Sequence, residues 1–129
     1  MLRSAGRAVS RSFVQLRFAS TKLEGKDWKA KVIENSKPTV VDFYASWCGP
    51  CKTLGPVMDN VHEQYKDKVD FYVLDVDSVD AQPILQEMKL TSIPDVRLFH
   101  KGKETDRFVG NLPEKAVTEF FANAAKLTE

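Results

Sequence analysis

Three features of this chain predict an α/β fold with a mixed central sheet and helices on both faces. Two short apolar runs, 39–45 and 69–76, have the character of buried strands. Segments with apolar residues at helical spacing separate and follow them. A hairpin pattern over 96–109 then leads into a closing helical segment. Strand–helix–strand alternation followed by a hairpin and a helix gives this layered arrangement.

Taken in order, Trp28, Val32 and Ile33 fit one side of a first helix over about 25–35. Thr39–Ala45, TVVDFYA, is the first strand. Leu54, Met58, Val61 and Tyr65 recur at helical spacing, so a helix runs from about Cys48 to Gln64. Pro56 lies inside it and predicts a kink, because its ring crowds the preceding turn and it lacks a backbone donor. Val69–Val76, VDFYVLDV, is the second strand. Ile84, Leu85 and Met88 mark a short helix over roughly 80–88. Val96–His100 and Thr105–Val109 flank Lys101-Gly102-Lys103 as a hairpin. Val117, Phe120, Phe121 and Ala124 fit a last helix, with Pro113 suited to its first turn.

The bulk composition, 43% hydrophobic and 29% charged, is that of an ordinary globular domain. A formal net charge of +1 provides no strong field for nucleic acid. No apolar run approaches the roughly 20 residues of a spanning helix, so membrane insertion is not expected. The charge is nevertheless uneven. Residues 1–20 hold Arg3, Arg7, Arg11 and Arg17 and no acid, leaving 15 basic and 18 acidic residues beyond them. Wound as a helix, Leu2, Ala5, Val9, Phe13 and Leu16 share one face and Arg3, Arg7 and Arg11 the other, with Val14 breaking the pattern. An Arg-rich, Ser-rich, acid-free amphipathic start has the character of an organelle import leader. The expectation is a mitochondrial presequence over 1–20, removed near Phe18–Ser20, and a domain over 21–129 destined for the mitochondrial matrix. A basic tail lying on an anionic membrane surface is the plainer alternative.

The two cysteines sit three apart in Trp47-Cys48-Gly49-Pro50-Cys51, after a buried strand and at the opening of a helix. Free amide protons and a partial positive charge at a helix start favour thiolate over thiol. Thiolate is the attacking species in disulfide exchange. Cys48, nearest the helix start, is therefore the expected nucleophile. Cys51, one turn on and facing the core, is the expected resolving cysteine. Pro50 pre-sets the helical φ between them. Zinc would need four ligands. The others would have to be His62 and His100, which lie on different predicted elements and are expected to be surface residues without a chemical role. A purely structural disulfide would close a very small loop and remove little chain entropy.

Val41-Asp42-Phe43-Tyr44-Ala45-Ser46-Trp47-Cys48-Gly49-Pro50-Cys51-Lys52 closely resembles the active-site segment of thioredoxins. Ile93-Pro94 and Val109-Gly110 fall where that family places its other substrate-contacting loops, and Pro56 matches its helix kink. The resemblance covers about 21–128. It implies a thioredoxin fold, a mixed five-stranded sheet flanked by four helices in three layers. It also implies protein-disulfide reduction without a bound cofactor or metal, recycled by NADPH through thioredoxin reductase. Disulfide-bearing client proteins would be the partners, with peroxiredoxins and methionine sulfoxide reductases among them, and the protein would be a monomer. By the same carry-over Asp42 lies beneath Cys51 and moves its proton. Trp47, Gly49, Pro50, Val76, Ile93, Pro94, Val109 and Gly110 would form the docking surface, with a cis bond before Pro94 aiming the Ile93 backbone at a client strand. Asp42 at an exposed strand edge, and Ile93 and Val109 as ordinary packing, are the plainer readings. The same fold can also serve as a binding scaffold with the dithiol as a switch.

Three positions depart from the family pattern. Val73 stands where many thioredoxins have a lysine near the buried acid, so Asp42 lacks a partner for its ionised form and should titrate higher. Asp95 and Arg97 replace a threonine and an apolar residue. Two apart on a strand, they share a face and should pair if it is covered; Arg97 reaching out to solvent is the alternative.

Overall fold

The computed structural model describes residues 20–128. The targeting presequence expected over 1–20 lies, apart from Ser20, outside the described residues. A five-stranded sheet has the order β1-β3-β2-β4-β5. Its strands are β1 (Thr21–Lys22), β2 (Thr39–Tyr44), β3 (Asp70–Asp75), β4 (Asp95–His100) and β5 (Lys103–Val109). β3 pairs parallel with β1 and β2, whereas β4 runs antiparallel to β2 and β5. The predicted mixed sheet is therefore present, with β2 at its centre.

Three regular α-helices flank it: α1 (Gly49–His62), α2 (Gln82–Glu87) and α3 (Glu114–Lys126). The expected first helix over 25–35 is not a regular α-helix. It is a 3₁₀ turn at Gly25–Asp27 followed by a π-type turn at Lys29–Ile33, closed by the Glu34 amide donating to the Lys29 carbonyl at 2.8 Å. Its start is set from outside: Gly25 packs on the Asp80 backbone, and the Lys26 amide donates to the Asp80 carboxylate at 3.2 Å. Pro113 sits one residue outside α3, at its cap, rather than within the first turn.

Alternation along β2 divides the core. Val40 joins Leu54, Met58, Val61, Phe120 and Phe121 beneath α1 and α3. Val41 and Phe43 point the other way, to Trp28, Val32 and Phe99 beneath the 25–33 segment and α2. Asp42 has the parity of Val40 and so faces α1. Strand pairing sets it beside Val73 of β3 and Val96 of β4. The β4–β5 hairpin turns at Lys101 and Gly102, both at positive φ, as a tight two-residue hairpin turn demands.

His62 is not the bare surface residue expected. Its ring is half-buried against Phe71 and Phe121, and Nε2 lies 2.7 Å from the Val69 carbonyl oxygen. Its place is structural, tying the end of α1 to the start of β3.

Candidate active site

The central strand delivers its C-terminal end to the start of α1, and the two cysteines lie at that junction. Cys48 is the N-cap residue, with extended backbone, and its sulfur accepts from the Cys51 amide at 3.2 Å. The first turn of α1 contains no acidic side chain, so nothing there opposes a developing thiolate. Cys48 and Cys51 are joined in a disulfide, with Cα atoms 5.3 Å apart. Both are buried, in a small cluster with Ala45 against Tyr44, Val76 and Ile93.

The residues expected around the pair come together. Trp47 is 68% exposed, an unusual state for an indole, and its Nε1–H donates to Asp77 at 2.8 Å. Gly49 and Pro50 are exposed beside it. The Ile93–Pro94 bond is cis. Val109 is exposed, and the Gly110 amide donates to the Pro94 carbonyl at 2.8 Å, holding the two loops together. Gly110 has φ +86 with no atom near the position of a Cβ, so the requirement for glycine there is conformational. Val76 and Ile93 thus pack against the disulfide, and Trp47 and Val109 add exposed apolar surface.

Asp42 is 2% exposed on the central strand, which removes the exposed-edge alternative. Its Oδ1 has no hydrogen-bond partner among the described residues. Burial pushes its pKa from 3.8 up to about 7, and the charges of Asp59 and Asp95 add to the rise. A cavity of about 410 Å³ connects Asp42 with Cys51, Asp59, Val73 and Tyr44. Sequence reasoning missed Asp59. Its signal was available: Cys51, Gly55 and Asp59 recur at i, i+4 and i+8, one face of α1.

The Asp95–Arg97 pair is present, and Arg97 does not reach out to solvent. Both are buried, and the guanidinium donates to Asp95 at 3.1 and 3.0 Å from Nε and Nη2. Glu104 and Arg107 of β5 extend the pair into a network, with Arg97 Nη1 to Glu104 at 3.0 Å and Arg107 Nη2 to Asp95 at 2.9 Å. Arg97 also lies over the Phe43 ring, 5.9 Å from its centroid. The β5 partners were not foreseen, because strand register alone brings them opposite Asp95 and Arg97.

A Cys-x-x-Cys pair at a helix start, packed against apolar side chains at the end of the central strand, is the site arrangement of thiol–disulfide oxidoreductases. Residues 19–123 match the thioredoxin family, and this chain belongs to it. An M-type chloroplastic thioredoxin of Chlamydomonas reinhardtii is 33% identical over 113 residues, covering 88% of this chain and 79% of its own length. The M-type chloroplastic thioredoxin of Spinacia oleracea is 37% identical over 92 residues, 71% of this chain. This chain spans 50% of the length of the spinach protein. The crystal structure of Malassezia sympodialis thioredoxin superposes with a TM-score of 0.73 at 32% identity, covering 83% of this chain and 91% of that one. Thioredoxins are protein-disulfide reductases that act without a bound cofactor, and the paired cysteines that they use are present here.

These relatives correct the expected address. The M-type proteins are chloroplastic and point to a plastid rather than to the mitochondrial matrix. The physical reason for the error is plain: Arg-rich, Ser-rich, acid-poor leaders are common to import into both organelles, so composition does not distinguish them.

Proposed function

We propose that this protein reduces disulfides of client proteins, with Cys48 as nucleophile and Cys51 as resolving residue. The observation that carries this reading is the Cys48–Cys51 disulfide at the cap of α1, with Cys51 lining the same cavity as the buried Asp42. In the reduced protein, the Cys48 thiolate attacks a client disulfide. One client sulfur leaves as thiolate and a mixed disulfide forms. The Cys51 thiol then gives its proton to Asp42 through a water and attacks Cys48 Sγ. The client's second sulfur leaves and is protonated, and the Cys48–Cys51 bond is complete. An acid titrating near 7 is divided between its two forms at neutral pH, so it both takes and returns a proton.

Trp47, Gly49, Pro50, Val76, Ile93, Pro94, Val109 and Gly110 serve as the docking surface. Backbone pairing beside Ile93 suits varied clients, since it ignores side-chain identity. Two electrons and one proton return from NADPH through thioredoxin reductase, and the second proton comes from solvent. Peroxiredoxins and methionine sulfoxide reductases fit the client class. The protein works as a monomer, with residues 1–20 as a targeting leader and 21–129 as the redox domain.

Insulin reduction coupled to NADPH and thioredoxin reductase tests the reading. Cys48→Ser abolishes turnover, and full activity in that variant ends the model. Cys51→Ser retains attack but not resolution, so mixed disulfides accumulate and mass spectrometry of them names the clients.

A further inference from the structure

The family's usual lysine near the buried acid is absent, and the cavity beneath Cys51 contains a second carboxylate instead. Asp59 projects from α1, two turns beyond Cys51, into the space that Asp42 lines from β2. Asp42 Oδ1 is buried without a hydrogen-bond partner among the described residues, so its state responds to the charges around it. The side chain beside it on β3, Val73, is uncharged. On β4, Val96 is its neighbour, and Asp95 lies on the opposite face of the sheet, paired with Arg97 and Arg107; its charge makes a smaller addition to the rise than that of Asp59. Lys22 of β1 and Lys52 of α1 line the cavity but are exposed residues, and Tyr44 contributes a phenol. Asp59 is half-buried, and burial raises its pKa above the ordinary carboxylate value; the Ser20 hydroxyl, which donates to its Oδ1, and the charge of His62 work against that rise and favour its ionised form.

We propose that Asp59 is a positioning residue of the dithiol reaction. It shares this cavity with Asp42 and Cys51, and its negative charge opposes ionisation of Asp42. Asp59 thereby sets the pH at which Asp42 can take the proton from Cys51. Where a lysine would favour the ionised form of the buried acid, Asp59 adds to the burial that keeps it protonated, so resolution of the mixed disulfide speeds up only as Asp42 loses its proton. The electron balance of the reaction is unchanged: Cys51 gives one proton to Asp42 and its sulfur displaces the client from Cys48.

The inference rests on the disulfide-reductase reading, and the two fail separately. The test is single-turnover insulin reduction by the pre-reduced full chain across pH, together with NMR titration of the Asp42 carboxyl. Asp59→Asn moves both the rate inflection and the Asp42 midpoint toward acid by about half to one pH unit. Asp59→Glu, which keeps the charge, restores the wild-type position. In an Asp42→Asn background, Asp59→Asn moves no inflection. Asp59→Ser carries the same expectation should the Asn variant not fold. Superimposable profiles for wild type and Asp59→Asn overturn the role of Asp59 while leaving the dithiol chemistry standing. Turnover in Cys48→Ser overturns the reading beneath it.

Discussion

Asp42→Asn should make the protein more resistant to denaturation at alkaline pH, because it removes a carboxyl that the fold keeps from water. The carboxyl titrates at 3.8 when free and at about 7 in the folded chain. At about 1.4 kcal/mol per pH unit, the displacement corresponds to about 4 kcal/mol. The sign follows from proton binding. Between these two pH values the folded state holds the proton and the unfolded state has lost it, so stability falls as pH rises. The contribution is fully present below about pH 4 and is lost as pH rises through about 7. About 2.5–3 kcal/mol of this falls between about pH 5 and about pH 8. Urea denaturation of the oxidised chain, wild type and Asp42→Asn, at those two pH values measures it. The difference between the two proteins should grow in favour of the variant by that amount on going to the higher pH. A difference that stays the same at both values would refute the burial argument, whatever its absolute size.

Val73→Lys places a positive charge beside Asp42 and should lower its titration midpoint from about 7. Carboxyl NMR reads the shift, and an unmoved midpoint would sink the account of why this site titrates high. Arg97→Met leaves Asp95 buried with Arg107 as its remaining partner. The cost should be about 3 kcal/mol by denaturant titration, at the lower end for breaking a buried pair because one cation remains. A loss below about 1 kcal/mol would show that the network contributes little.

The parts of the fold with strong periodicity were legible in the chain. TVVDFYA and VDFYVLDV have the length and apolar character of strands, although β3 buries only Phe71 and Leu74 fully, and the apolar spacing from Leu54 to Val61 fits a helix face. β1 escaped direct reading because two residues leave no period. The 25–33 segment was misread because Trp28 and Val32 are buried as a helix would bury them, while contacts with Asp80 impose tighter and wider turns than the sequence announces.

What the sequence determined by itself was the reacting pair. Cys48 and Cys51 are three residues apart at a helix start, so local backbone geometry alone sets them within bonding reach. It also placed a single carboxyl in the first buried strand. Only the tertiary structure decided the environment of that carboxyl. Asp42 faces α1 because of the parity of β2, and the helix spacing of Cys51, Gly55 and Asp59 carries a second acid into the same cavity. The Asp95–Arg97 pair was readable as a two-residue repeat, but Glu104 and Arg107 complete it through the register of β5, which the packed sheet alone establishes. Chemistry that depends on neighbours along the chain is written in the chain, whereas the charges that tune it meet across elements, where distance depends on packing.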